Sequence, residues 1–177
     1  MIKLIDLIKE ESILIPRRSR EDREKNYKIA IQKKIQQYIK DGGKGNLNLS
    51  NTSITSLPQG LKVGGNLDLS NTPITSLPQD LEVGGGLYLP KTLITSLPQD
   101  LEVGGNLDLN GTPITSLPQG LKVGGYLDLR NTPITSLPQD LEVELGLYLY
   151  NTPIAAKYTK EQIKQMVPGV KGYIDID

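Results

Sequence analysis

The side chains of this protein that could do chemistry crowd around a recurring Leu-x-Leu, at the positions before, between and after its two leucines. Tyr88, Asp108, Asp128 and Tyr148 stand between paired leucines, Tyr126 and Tyr173 stand before a pair, and Arg130 and Tyr150 stand after one. Tyr and Arg dominate protein-binding hot spots, because each offers a broad, rigid contact surface with a polar end. These eight residues on one surface therefore read as a docking site for a protein partner. A competing account needs no partner, since tyrosines on neighbouring strands also stabilise a sheet by packing on each other. Asp108 and Asp128, with Asp68 farther along, form a carboxylate stripe as well. Like charges side by side are unfavourable unless a cation or a basic partner intervenes. Calcium accepts carboxylate and Asn oxygens, but no metal-loop spacing occurs, so the stripe reads as solvated and no metal or cofactor is expected.

Bond-making chemistry is poorly supplied. The chain has no His, the commonest general base, and no Cys, hence no thiolate and no disulfide. Each "ITSLP" offers hydroxyls, as at Thr75 and Ser76, but near-identical copies single out no Ser-Lys pair. The glycine runs at 42–43 and 84–86 lack the frame of a phosphate loop. The expectation is a protein that is not an enzyme.

A repeat positions these residues. The stretch "NTPITSLPQDLEVGG" at 71–85 returns with few changes from 51, 91, 111 and 131, and Leu-Pro recurs every 20 residues from 57–58 to 137–138. Each Leu-x-Leu is a short alternating run that sends its leucines to one face of a strand and the residue between them to the other. Ile74, Leu77, Leu81 and Val83 then carry the chain back, with Pro78 forbidding a regular helix and the glycine pairs allowing a tight turn into the next strand. One such coil cannot offset its ordering entropy, whereas stacked coils share a core and pair their strands.

The stretch 57–78, "LPQGLKVGGNLDLSNTPITSLP", resembles a leucine-rich repeat of the short bacterial type, with its L-x-x-L-P element and L-x-L strand and turn. Thr72, Thr92, Thr112 and Thr132 stand where that family carries a ladder Asn, and Gly64 and its equivalents replace the first leucine of the strand motif. A Thr hydroxyl can still bond turn backbone, with fewer bonds. The resemblance is to short leucine-rich-repeat proteins of bacteria and their phages. It implies an α+β solenoid with a parallel β-sheet on the concave face, extended convex arcs, and a protein-binding role for the concave residues. The ubiquitin-ligase domain of some bacterial relatives needs a catalytic Cys, which this chain lacks.

A solenoid also needs covered ends. Residues 1–44 read as an N-terminal helical cap, 45–155 as six repeats, and 156–177 as a C-terminal cap of a helix and a final strand. Ser19 with Asp22 opens a helix whose Tyr27, Ile31, Ile35 and Tyr38 share a face, and Gly42-Gly43 ends it. Before it, Ile2, Leu4, Ile5 and Ile8 fit a shorter helix and 12–18 an extended link. Thr159 is placed to cap a helix over 159–166, and "KGYIDID" echoes "GGYLDL", which makes Ile174 and Ile176 occupants of the leucine slots in a seventh strand.

The chain of 177 residues balances 20 basic against 20 acidic side chains, but unevenly. Residues 1–44 hold 12 Lys/Arg against 7 Asp/Glu, and 45–177 hold 8 against 13. That complementarity supports an alternative role, head-to-tail self-association. Nucleic-acid binding by Arg17, Arg18, Arg20, Arg23, Lys25 and Lys28 is disfavoured, because Glu21, Asp22 and Glu24 interrupt the cluster. No signal peptide or apolar span is apparent, so the chain reads as cytoplasmic, in a host cytoplasm if a phage encodes it.

Overall fold

A computed structural model describes residues 19–177. The expected short helix, the extended link, Arg17 and Arg18 lie outside the described residues. Helix α1 spans Arg20–Lys40 and starts with a capping box: the Asp22 N–H donates to Ser19 Oγ at 3.0 Å and the Ser19 N–H to the Asp22 carboxylate at 3.3 Å. Its buried stripe is narrower than its sequence spacing implies. Ile31 and Ile35 are buried and Tyr38 is half-buried, whereas Tyr27 is 45% exposed. The Tyr38 hydroxyl donates toward the Gly43 and Gly45 carbonyls, at 2.6 and 2.8 Å, where the chain leaves the helix. Gly43 sits there at φ +65°, and a Cβ on it would lie 2.6 Å from the Lys62 carbonyl oxygen.

From Leu47 the chain coils into a β-solenoid of about five turns, and consecutive strands pair in parallel 20 residues apart. One sheet has seven strands, joined in the order β1 (Leu47–Asn48), β3 (Leu67–Asp68), β5 (Leu87–Tyr88), β7 (Leu107–Asp108), β9 (Tyr126–Asp128), β11 (Gly146–Tyr148) and β12 (Tyr173–Asp175). The return arcs are not merely extended. They contribute a second parallel sheet of five strands: β2 (Lys62–Val63), β4 (Glu82–Val83), β6 (Glu102–Val103), β8 (Lys122–Val123) and β10 (Glu142–Val143). Its cause is an alternation inside each arc. Leu81 and Val83 point into the core while Glu82 points out, and the same holds in every copy.

The core lies between the two sheets. Leu67, Leu69, Ile74 and their equivalents through Leu149 are 0% exposed. The turn after each strand places Asn51, Asn71, Lys91, Gly111, Asn131 or Asn151 at positive φ, a region Asn and Gly tolerate best. The next residue is Thr, whose hydroxyl, buried in every copy but the first, donates to the Leu carbonyl three residues earlier at 2.6–2.8 Å. This is the turn bond expected of Thr72 and its equivalents.

The sixth copy supplies β11 and then leaves the pattern. Thr152 caps a short helix, α2 (Pro153–Lys157), and Thr159 caps α3 (Lys160–Met166). Ile154, Ile163, Val167 and Val170 are buried against the last full coil, and Val170 bridges Val143. Among the described residues no helix is long and apolar enough to cross a membrane.

Candidate functional site

The register assembles the outward residues of the larger sheet into rows. The row between the leucines reads Asn48, Asp68, Tyr88, Asp108, Asp128, Tyr148 and Asp175, each directly beside the next. Asp108 and Asp128 are therefore neighbours, as their spacing predicts.

The carboxylates have a local task that the sequence reading missed. Asp68 Oδ1 accepts the Ser70 N–H at 2.9 Å and its hydroxyl at 2.6 Å; Asp108 accepts the Asn110 N–H at 2.9 Å, and Asp128 the Arg130 N–H at 3.0 Å. These are Asx turns, which bend the chain out of the strand. Their signal was an Asp or Asn two residues before each turn. Tyr88 escapes the task because Pro90 has no N–H to be accepted. Burial holds the Asp108 carboxyl above its ordinary value, the Asn110 amide opposes that, and the Asp128 charge adds to it. Among the described residues no three His, Cys, Asp or Glu side chains group as metal ligands.

Three of the candidate tyrosines meet. The Tyr126 and Tyr148 rings lie 5.8 Å apart between centroids, Tyr126 and Tyr173 6.1 Å, and Tyr148 and Tyr173 5.5 Å in an edge-on contact. Gly146 allows this. It sits between Tyr126 and Tyr173 in register, and a Cβ on it would lie 3.2–3.3 Å from both rings. The two rings thus close over a strand that has no side chain at that point. The Tyr148 and Tyr173 hydroxyls are hydrogen-bonded, and that bond is the main reason the Tyr173 phenol is pushed up to about 12. Arg130 completes the cluster. Its Nε donates to both Asp128 oxygens, at 2.9 and 3.0 Å, its Nη2 lies 2.5 Å from Oδ2, and its guanidinium carbon lies 5.3 Å from the Tyr148 ring centroid. Asp128 is 9% exposed, so this pairing is what permits a carboxylate there.

Tyr126, Asp128, Arg130, Tyr148 and Tyr173 thus form one cluster with Asp108 at its edge. Tyr88 and Tyr150 make no ring contact with it; Tyr150 is 52% exposed at the turn, and Tyr88 lies over Gly86.

A second pattern involves the positions equivalent to 126 in the other coils. Asn46, Asn66 and Asn106 each accept, through Oδ1, the N–H of the residue one coil on, at 2.7–2.9 Å. Each of these Oδ1 atoms occupies the space that a Cβ would need on Gly65, Gly85 or Gly125. An Asn there therefore requires the later glycine, but the reverse does not hold: Gly105 follows Gly86, and backbone atoms 2.9 Å from its Cβ position crowd it without any Asn. Position 126 holds Tyr in place of Asn, and position 145 holds Leu in place of Gly. Compared with known protein families, curated proteins and solved structures, the chain matches none.

Proposed function

We propose that this protein is a non-enzymatic binding module of leucine-rich-repeat type, and that it docks a protein partner on the outward, concave face of its seven-stranded sheet. One observation carries the reading: Tyr126, Tyr148, Tyr173 and Arg130 converge at the C-terminal half of that face, with Tyr173 48% and Tyr150 52% exposed. Aromatic rings held in place by their neighbours lose little entropy on binding and bury large areas. The resemblance to short bacterial and phage repeat proteins makes a host protein the natural class of partner. Affinity capture from cell lysate tests this with two variants. Tyr150→Ala removes an exposed ring that no other ring contacts, so it perturbs binding without unpacking the cluster; a Tyr126/Tyr148/Tyr150→Ala variant removes most of the face. Loss of a captured protein by both is the expected result, and equal capture by wild type and both variants would overturn the assignment.

A second reading, head-to-tail self-association, is favoured by the opposite charge of the basic N-terminal part and the acidic part that follows it, and by exposed Tyr27, Ile29 and Ile39 on the basic helix α1. Light-scattering mass at low and high salt separates the two. A monomer at both salt concentrations excludes self-association.

A further inference from the structure

The strand register contains the same constellation twice, filled once. Tyr148 lies between Asp128 and Asp175 on adjacent strands, and Tyr88 lies between Asp68 and Asp108. The local sequences are identical, Gly-Leu-Tyr-Leu at 86–89 and at 146–149. In the first constellation the residue two beyond the leading Asp is Arg130, which forks onto Asp128 and lies over Tyr148. In the second that residue is Ser70, which offers a neutral hydroxyl to one oxygen of Asp68. Among the described residues neither Asp68 nor Asp108 joins an ion pair. The Tyr88 ring lies over Gly86, whereas the equivalent Gly146 is covered by Tyr126 and Tyr173, so Tyr88 must turn from Gly86 toward Ser70 to meet a guanidinium as Tyr148 does.

We propose that the Asp68–Tyr88–Asp108 row is a receptor for an arginine side chain of the partner protein, held as the protein's own Arg130 is held by Asp128 and Tyr148. This rests on the docking face proposed above and names the chemistry it selects. A planar guanidinium satisfies a carboxylate with two parallel bonds and stacks on an aromatic ring, whereas an ammonium acts as a point charge. Arg130 already offsets the Asp128 charge that Asp108 faces on one side, whereas Asp68 and Asp108 flank Tyr88 with no ion-pair partner among the described residues, so a cation over Tyr88 would meet two carboxylates at once.

The test is titration of the full chain with a blocked arginine tripeptide and its lysine twin, read by tyrosine-selective NMR. Wild type should bind the arginine peptide about tenfold more tightly than the lysine peptide, with the largest shifts at Tyr88. Ser70→Arg should fill the slot from within and abolish that preference while leaving the fold intact, and Asp68→Asn should weaken arginine binding about tenfold. Asp108→Asn serves as a second loss variant if Ser70→Arg does not fold. Equal affinity for the two peptides, or undiminished binding by Ser70→Arg, would overturn the proposal. Because the peptides need no native partner, failure here is distinguishable from failure of the docking face, which the Tyr150→Ala capture reports separately.

Discussion

The Arg130 clamp can be measured by itself. In a double-mutant cycle, Arg130→Ala, Asp128→Asn and the double variant are unfolded with urea and compared with wild type. The Arg130 side chain is 44% exposed and that of Asp128 13%, so solvent screens one partner and hardly the other. Exposed ion pairs contribute about 0–1 kcal/mol, and hydrogen bonds to charged groups about 1.5–3 kcal/mol. Taking the lower part of that range for the half-exposed partner, the coupling between Arg130 and Asp128 should be about 1–2 kcal/mol. A second cycle with Tyr148→Leu should give about 0.5–1 kcal/mol for the stacked guanidinium. Arg130→Lys should recover only part of the first coupling, since an ammonium cannot span both oxygens. Arg130→Ala alone should cost more than its coupling, because it leaves a buried carboxylate unpaired, and should lower Tm by about 2–4 °C per kcal/mol for a chain of this size. A coupling below about 0.3–0.5 kcal/mol, the level at which independent sites add, would refute both the clamp and the template on which the arginine slot was inferred.

Three further outcomes follow from particular contacts. Lys91 sits at φ 58° where other copies carry Asn or Gly, so Lys91→Asn should raise stability by about 0.5–1 kcal/mol in urea unfolding. Tyr126→Asn alone should destabilise the fold, because its side-chain oxygen needs the space that the Leu145 Cβ fills, and adding Leu145→Gly should restore much of the loss by rebuilding the Asn–Gly pairing of the other coils. Tyr173 has a folded pKa of about 12, above its ordinary value, so the protonated phenol favours the fold. That contribution is complete below about pH 10 and is lost as pH rises toward 12, and Tyr148→Phe, which removes the hydroxyl bond, should lower the Tyr173 titration midpoint in an ultraviolet absorbance titration.

Much of the scaffold was legible because its rules are local or periodic. Leu67 and Leu69 flank an outward Asp68, and a 20-residue period then places Tyr88 beside it without any knowledge of the arcs. The helix start at Ser19 and the Thr turn bonds were readable for the same reason, since donor and acceptor lie three residues apart. The second sheet was overlooked because its strands are two residues long, and alternation over so short a run looks like any extended arc. The Asx turns were overlooked because an Asp on an outward row was weighed by its charge and not by the backbone N–H two residues on. The stripe on α1 was drawn too wide because spacing names a helix face but not how much of it the solenoid end covers.

The sequence by itself determined the period, the inward leucines and the rows of outward residues, because stacking identical coils leaves one register that buries every leucine. The tertiary structure alone decided which outward side chains touch. Tyr126 meets Tyr173, 47 residues away, because Gly146 between them has no side chain to hold them apart and because the last step of the coil takes 27 residues in place of 20. Tyr148 turns to Arg130 and Tyr88 to Gly86 although their local sequences are the same. The difference lies in their neighbours on adjacent strands, and a side chain chooses its rotamer among those neighbours after the register has been set.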